Sequence, residues 1–477
     1  MRSALLLAAL ALNCSAADLA QRLTALVESA PAAVRGVSGI HVVDLTTGMP
    51  VYSYNENQLL LPASNMKLFT AALALSRLGP DYRFETLLIR EPAGSLVLVG
   101  GGDPSMSGRV YPYDAKSKPL PSLHAIEELA DQAVASGLRQ VDGDVVGDDR
   151  RYIWSPYPES WTADDAQHDF GAPVSALTLN DNVVTLTVRP GARAGDLAHV
   201  ELDPPFEYFL IDNRVSTVDV NGAGTLRVTR VPGSRQVLLS GTINGRTAAL
   251  RETIPVDDPA LFAAHALYDA LLRRGISVRG RPVSRHRIDQ IGAPQEGTVL
   301  AQRSSPPLSE LLRTTLKVSQ NLHAEILLRE VGLTKQGQGT LTAGLREVRT
   351  LLSELRIPPS AWVSEDASGL ARNDEVTPRA VTQLLTAMMA GEQRDLWRGL
   401  LPVGGQDGTL SARLCCVSDT VAIRAKTGSL SRAIALSGYA ESPENGRLAF
   451  SILVNNFAAS ATEVRAWVDR LASTLVE

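Results

Sequence analysis

The chain has 477 residues, 44% of them hydrophobic and 20% charged, with a formal net charge of −5. This length points to two or three domains, and the composition excludes disorder. There is no long like-charge run and no basic patch, so nucleic acid is excluded as the main partner.

The N-terminus carries Arg2, an apolar run from Ala4 to Leu12, and small residues around Cys14 to Ala17. This is the pattern of a cleavable export signal over 1–17, too short to span a bilayer. No other segment approaches transmembrane length, so the mature protein is expected to be soluble and extracytoplasmic or periplasmic. A peripheral membrane contact and the oligomeric state stay open.

Residues 18–34 place Leu19, Leu23, Leu26 and Val27 at helical spacing. Gly39–Leu45 and Val51–Tyr54, joined by a turn at Thr47-Gly48, read as a hairpin. A helix is predicted from Ser64 to Leu78, stopped by Gly79-Pro80.

Residues 84–288 look different. They hold short strands such as Ser95–Val99 and Val183–Val188. They also hold an internal echo: a helix ending at Gly137 leads to Val141–Gly143, and one ending at Gly275 leads to Val278–Gly280. Near the end, strands are predicted at Val421–Lys426, Ile434–Ala440 and Leu448–Asn455. A last helix presents Val464, Trp467, Val468, Leu471 and Leu475 on one face.

The expected fold is α/β (α+β), with one five-stranded antiparallel sheet covered by helices. That domain would be discontinuous, over 18–83 and 289–477. Residues 84–288 would be inserted as one or two smaller domains.

After export only Cys415 and Cys416 remain, and neighbouring cysteines neither make a zinc site nor an easy disulfide. The seven histidines show no HExxH or paired spacing. The acidic stretch Asp142–Asp149 lacks EF-hand spacing, and Gly100–Gly102 lacks the dinucleotide fingerprint.

Three short motifs carry chemistry. Ser64-Asn65-Met66-Lys67 puts a hydroxyl and an amine three apart on one helix face. A serine needs a base to become a nucleophile, and lysine is that base only when burial or a second cation lowers its pKa. Ser319-Gln320-Asn321 offers a hydroxyl to relay a proton and an amide to hold a peptide group. Lys426-Thr427-Gly428 offers a cation and a hydroxyl for a carboxylate, and a glycine that lets a ligand approach the backbone. Only six lysines occur in the chain, and two of them fall in these motifs.

In this order the motifs resemble those of the penicillin-recognising serine enzymes: S-x-x-K, S-x-N and K-T-G. The stretch from Ser64 to Ser319 is more than twice that from Ser319 to Lys426. That spacing resembles the class C low-molecular-mass penicillin-binding proteins, the D-alanyl-D-alanine carboxypeptidase/endopeptidase type. Leu98–Pro104, Gly171–Asn182, Ser368–Asn373 and Leu401–Leu410 also look like that family, so the likeness covers nearly the whole mature chain. Departures are Gln320 in the second motif, Ala367 where glycine is frequent, and bulky Arg150 and Arg151 after Asp148.

The resemblance implies roles. Ser64 would attack the carbonyl between two D-alanines, with Lys67 as base kept neutral in part by Lys426. Ser319 would pass the proton to the leaving amine, and Asn321 would bind the peptide amide. Lys426, Thr427 and Gly428 would receive the terminal carboxylate, and the N–H groups of Ser64 and Ser429 would form the oxyanion hole. Asp148 and Arg372 would contact the side chain of the third peptide residue.

Peptidoglycan peptides and β-lactams would be the partners, with no metal or organic cofactor. The alternatives weighed are a serine β-lactamase, for which Glu365 is the one nominated deacylating acid, and a non-catalytic cell-wall binding protein.

Overall fold

The computed structural model describes residues 17–219, 221–231, 233–289, 296–415 and 421–477. The expected export signal up to Ala16, with Cys14, and Cys416 lie outside these; Cys415 is a free, exposed thiol.

One antiparallel sheet joins the two ends of the chain. Its strand order is Ala422–Leu430, Ala433–Ser442, Gly446–Asn455, Val37–Asp44, Pro50–Tyr54. Both faces are covered, so its central strands are apolar on alternate sides. Ile434, Leu436, Phe450 and Ile452 pack under the helix over residues 17–28 and the helix Ala461–Thr474. Ala435, Tyr439, Ala449 and Leu453 face the opposite way, into the core around Met66–Leu78. The period of two sorts these side chains between two layers, as a doubly covered sheet requires. Trp467 donates its indole N–H to the Leu26 carbonyl at 3.2 Å, tying the terminal helices together.

The inserted region is built on a second five-stranded sheet, ordered Pro282–Arg285, Val145–Asp148, Leu96–Val99, Glu85–Arg90, Thr298–Ser304. The helices His124–Ala135 and Pro259–Arg273 share its core. The internal echo has a structural meaning: the short strands after these helices, Gln140–Val141 and Ser277–Val278, pair with each other in parallel. The inserted boundary expected at residue 288 falls short. Thr298–Ser304 pairs with Glu85–Arg90 and completes this sheet, and a strand without that partner would leave its backbone groups open. Two three-stranded sheets lie between Val183 and Pro255.

The insertion docks on the helix Asn321–Gln336. Tyr152, Val174 and Ala176 pack on Leu322 and Ile326. The buried Glu330 carboxylate accepts from Arg151, at 2.5 and 2.9 Å, from Tyr152 at 2.8 Å, and from Tyr82. Arg151 is therefore an interdomain ion-pair residue.

Candidate active site

Ser64 sits in the single 3-10 turn Ala63–Asn65 that leads into Met66–Leu78. Two glycines let other elements reach this turn. A Cβ on Gly428 would lie 2.6 Å from the Pro62 carbonyl oxygen, and one on Gly369 would lie 1.8 Å from that of Ala63. Beneath the turn, Asn65 Nδ2 donates to Ser437 Oγ at 2.9 Å, and Ser437 meets Ser451 Oγ at 2.9 Å. This buried polar row seats the turn on the sheet.

Lys67 is fully buried. Its Nζ lies 2.8 Å from Ser64 Oγ, 2.6 Å from Asn321 Oδ1 and 2.7 Å from the Ser368 carbonyl oxygen. Asn321 Nδ2 donates to the Phe170 carbonyl at 2.8 Å, which turns its Oδ1 toward the lysine. A neutral amine has two N–H donors and one lone pair. Asn321 Oδ1 and the Ser368 carbonyl can only accept, so they take both protons and aim the lone pair at the one neighbour able to donate, the Ser64 hydroxyl. Burial lowers the Lys67 pKa to about 7, against the opposing charges of Asp366, Glu325 and Asp374. The neutral amine is thus available near neutral pH.

Ser319 lies at the joint between the helices Leu308–Lys317 and Asn321–Gln336, with φ +61°. Gln320 accepts from the Leu322 N–H at 3.2 Å, so the middle residue of this motif caps the following helix. Lys426 Nζ donates to Ser319 Oγ at 2.8 Å and to the Thr427 carbonyl at 2.7 Å. Burial, and then the charge of Lys67, press the Lys426 pKa well below the usual lysine range.

Lys426 and Thr427 are on Ala422–Leu430, the outer strand of the catalytic sheet. On its open edge, Ile423 accepts from the Gly404 N–H and the Ala425 N–H donates to Pro402. The antiparallel alternation therefore directs the N–H groups of Thr427 and Ser429 to the same open edge, facing the Ser64 turn rather than the neighbouring strand. Thr427 Oγ1 meets Thr409 Oγ1 at 2.8 Å.

The structure thus brings Ser64, Lys67, Ser319, Asn321, Lys426, Thr427, Gly428 and Ser429 to one place. A cleft of about 240 Å³ opens beside Ser319 and Asn321, lined also by Phe170, Arg109 and Asp181.

The two residues predicted for side-chain recognition part company. Arg372 forms a paired bond to Asp165, both at 2.8 Å, in the segment that continues to Phe170. Asp148 is buried, held by Arg150 at 2.7 Å with Arg285 at 3.6 Å, and no described contact joins it to the cleft. The strand Val145–Asp148 ends inside the insertion, where the following Arg150 satisfies the carboxylate from two residues away.

The sequence reading did not name Asp165. Its carboxylate is set locally by Thr162, whose N–H lies on Asp165 Oδ2 at 2.9 Å while the Asp165 N–H lies on Thr162 Oγ1 at 3.1 Å, and such a local turn gives no sign in the sequence of the distant Arg372. Glu365 accepts from Asn373 and lines a separate cleft with Ser160 and Arg349, one that contains neither Ser64 nor Lys67.

An antiparallel sheet that sets a Ser–Lys pair against a Lys–Ser pair is the architecture of the penicillin-recognising serine enzymes. The chain belongs to the D-Ala-D-Ala carboxypeptidase 3 (S13) family, which residues 19–475 match. It is 35% identical over 465 residues to a D-alanyl-D-alanine carboxypeptidase of Actinomadura sp. (strain R39), spanning 93% of this chain and 82% of that one. It is 23% identical over 455 residues to the D-alanyl-D-alanine carboxypeptidase DacB of Haemophilus influenzae, spanning 89% of this chain and 90% of that one.

The crystal structure of penicillin binding protein 4 from Haemophilus influenzae has a TM-score of 0.79 at 23% identity, over 95% of this chain and 98% of that chain. The expected fold, a catalytic domain of this type with additional domains, is borne out. Among the described residues no helix is long and apolar enough to cross a membrane.

Proposed function

We propose that this chain is an exported serine D-alanyl-D-alanine carboxypeptidase that also opens peptidoglycan cross-links, and that β-lactams acylate it at Ser64. The observation that carries the reading is the Lys67 amine, held by two obligate acceptors so that its free pair meets the Ser64 hydroxyl at 2.8 Å.

In the proposed reaction Ser64 Oγ bonds to the carbonyl carbon between two D-alanines while its proton passes to Lys67. The oxyanion is received by the Ser64 and Ser429 N–H groups. The C–N bond breaks as Ser319, bonded to Lys426, gives its proton to the leaving amine and receives in its place the proton that Lys67 took from Ser64. Water then attacks the ester carbonyl, its proton passing to the Lys67 amine and from there to Ser64 Oγ as the C–O bond breaks, which frees the serine. Lys426 and Thr427 hold the substrate carboxylate, whose negative charge offsets the cost of a buried ammonium.

The test is D-alanine release from a stem pentapeptide and cleavage of a cross-linked dimer by the purified protein. Release from either, together with one penicillin adduct per chain at Ser64, is expected. An adduct elsewhere, or neither activity, would overturn the reading.

The base sets the pH dependence. The Lys67 pKa is lowered to about 7, and only the neutral amine accepts the Ser64 proton. Acylation should therefore hold above neutrality and fall about tenfold per pH unit as pH drops through and below this value. Stopped-flow acylation by a β-lactam with no group titrating in this range would show it; a limb near the ordinary lysine value would contradict it.

We assign the Arg372–Asp165 pair, rather than Asp148, to the third residue of the stem, because it flanks the cleft through Phe170. Arg372→Gln should raise KM about tenfold for a stem with a charged third side chain, the loss of one charge-assisted bond. Acylation by benzylpenicillin, which lacks that side chain, should not change.

A further inference from the structure

Lys67 is approached from behind by a turn whose carbonyl, that of Ser368, is one of its two fixed acceptors. A single carboxylate organises that turn. Asp366 Oδ1 accepts from the N–H groups of Ser368 at 3.0 Å and Gly369 at 2.6 Å. Its Oδ2 accepts from the N–H groups of Leu370 and Ala371, each at 2.9 Å, from Ser368 Oγ at 3.1 Å and from Trp161 Nε1 at 2.9 Å. Six donors on one carboxylate use both oxygens from both sides, and the group is 1% exposed. The six donors replace the water that a carboxylate gives up on burial.

We propose that Asp366 is a positioning residue for the Ser64–Lys67 pair: its carboxylate clamps residues 368–371 so that the Ser368 carbonyl holds the Lys67 amine on line with the serine. This rests on the reading of Lys67 as base. Asp366 touches neither substrate nor Ser64; it acts through Ser368 and through its field.

The charged groups around the pair come from four elements. Glu325, on Asn321–Gln336, accepts the Ala367 N–H at 2.8 Å and Arg329 at 3.0 Å. Burial, then the Asp366 charge, raise its pKa to about 7. Asp374 follows the turn, and burial with the charge of Asp366 pushes it well above the carboxylate range. Lys426 faces the pair from the outer strand. Of the carboxylates opposing the desolvation of Lys67, Asp366 acts most strongly. A lysine with burial alone would be neutral but a weaker base. With Asp366 behind it, its pKa stays near the working pH, where base catalysis is most effective.

Two substitutions separate the clamp from the charge. Asp366→Asn keeps the shape, loses the charge and turns two acceptor sites into donors. The penicillin acylation rate, counted per labelled site, should fall at least about tenfold, as misplacement of a catalytic group does. The acidic limb should move down by about half a pH unit or more, since removing a negative charge lowers the Lys67 pKa further. Asp366→Glu keeps the charge but carries the oxygens one methylene too far. Its rate per site should also fall, with the limb staying where it is in the parent.

A purely structural role would lower yield and melting temperature and leave both the rate per site and the limb in place. That result in Asp366→Asn overturns the proposal. If Asp366→Asn gives no folded protein, a parental rate per site in Asp366→Glu overturns it. Lys67→Ala, run alongside, keeps two failures apart. If it acylates normally the base reading itself falls, whereas an inactive Lys67→Ala beside parental Asp366 variants removes only the clamp.

Discussion

Lys67→Ala is expected to slow penicillin acylation of Ser64 by about three to four orders of magnitude, toward the upper end of what a positioned general base contributes. The argument rests on what else could take the proton. Around Ser64 Oγ the amine at 2.8 Å is the described hydrogen-bond partner. Ser319 is bonded to Lys426, a group already pressed toward neutrality by burial, but it belongs to the other side of the cleft.

The alanine variant also leaves Asn321 Oδ1 and the Ser368 carbonyl without their donor, so a lower melting temperature is expected with it. Lys67→Arg separates the two effects. A guanidinium supplies N–H donors there yet does not lose its proton, so it cannot serve as base. It should recover part of the stability and none of the rate. Ser64→Ala, which removes only a half-buried hydroxyl, should keep the fold and lose the adduct entirely. A Lys67→Arg enzyme acylating at more than about a tenth of the parental rate would refute this assignment.

The parts of the site that were legible in sequence are those whose chemistry is local. Ser64 and Lys67 share a helix face by spacing alone, and Lys426, Thr427 and Gly428 share one strand. Their meeting could be inferred only through the family resemblance, since the partners Ser64 and Lys426 come from opposite ends of the chain and are joined by the sheet.

What stayed hidden is the second layer. Asp366, Glu325 and Asp374 look like ordinary acids until burial and mutual contact are known, and no periodicity announces which aspartate a turn will wrap. The same holds for Ser437 and Ser451, whose hydroxyls sit mid-strand in apolar runs and are explained only by Asn65 above them. Asp148 shows the complementary point. It precedes two arginines, and the sequence did not say that one of them, Arg150, would pair with its carboxylate.

Fold elements divided in the same way. The alternating and helical patterns at both termini located the sheet and its covering helices. The last strand of the insertion was misplaced because a lone apolar stretch does not say which sheet it will complete.

Gly369→Ala should damage both stability and rate severely for a single added methyl. Gly369 has φ +80°, a region an alanine enters only under strain, at about 1–3 kcal/mol. Independently, the added Cβ would fall 1.8 Å from the Ala63 carbonyl oxygen, 2.5 Å from its carbon and 3.0 Å from Met66 Cβ. Relieving that overlap costs about another 1–3 kcal/mol where backbone rather than a flexible side chain must move. Against a total stability of about 5–15 kcal/mol, the fold survives with a clearly lower melting temperature.

The rate suffers separately, because the two atoms that must separate belong to the turn carrying Ser64 and the turn carrying Ser368. Moving them apart lengthens the contacts that hold Lys67 between them, and a shift of about 1 Å there is enough for a hundredfold loss. Gly337 is the matched control: it also has positive φ, at +70°, but an added Cβ meets nothing within 4 Å. Gly337→Ala should lower the melting temperature and leave acylation per labelled site unchanged. Equal losses of acylation in the two variants would mean that general softening, not the approach of these two turns, sets the geometry of the serine and its base.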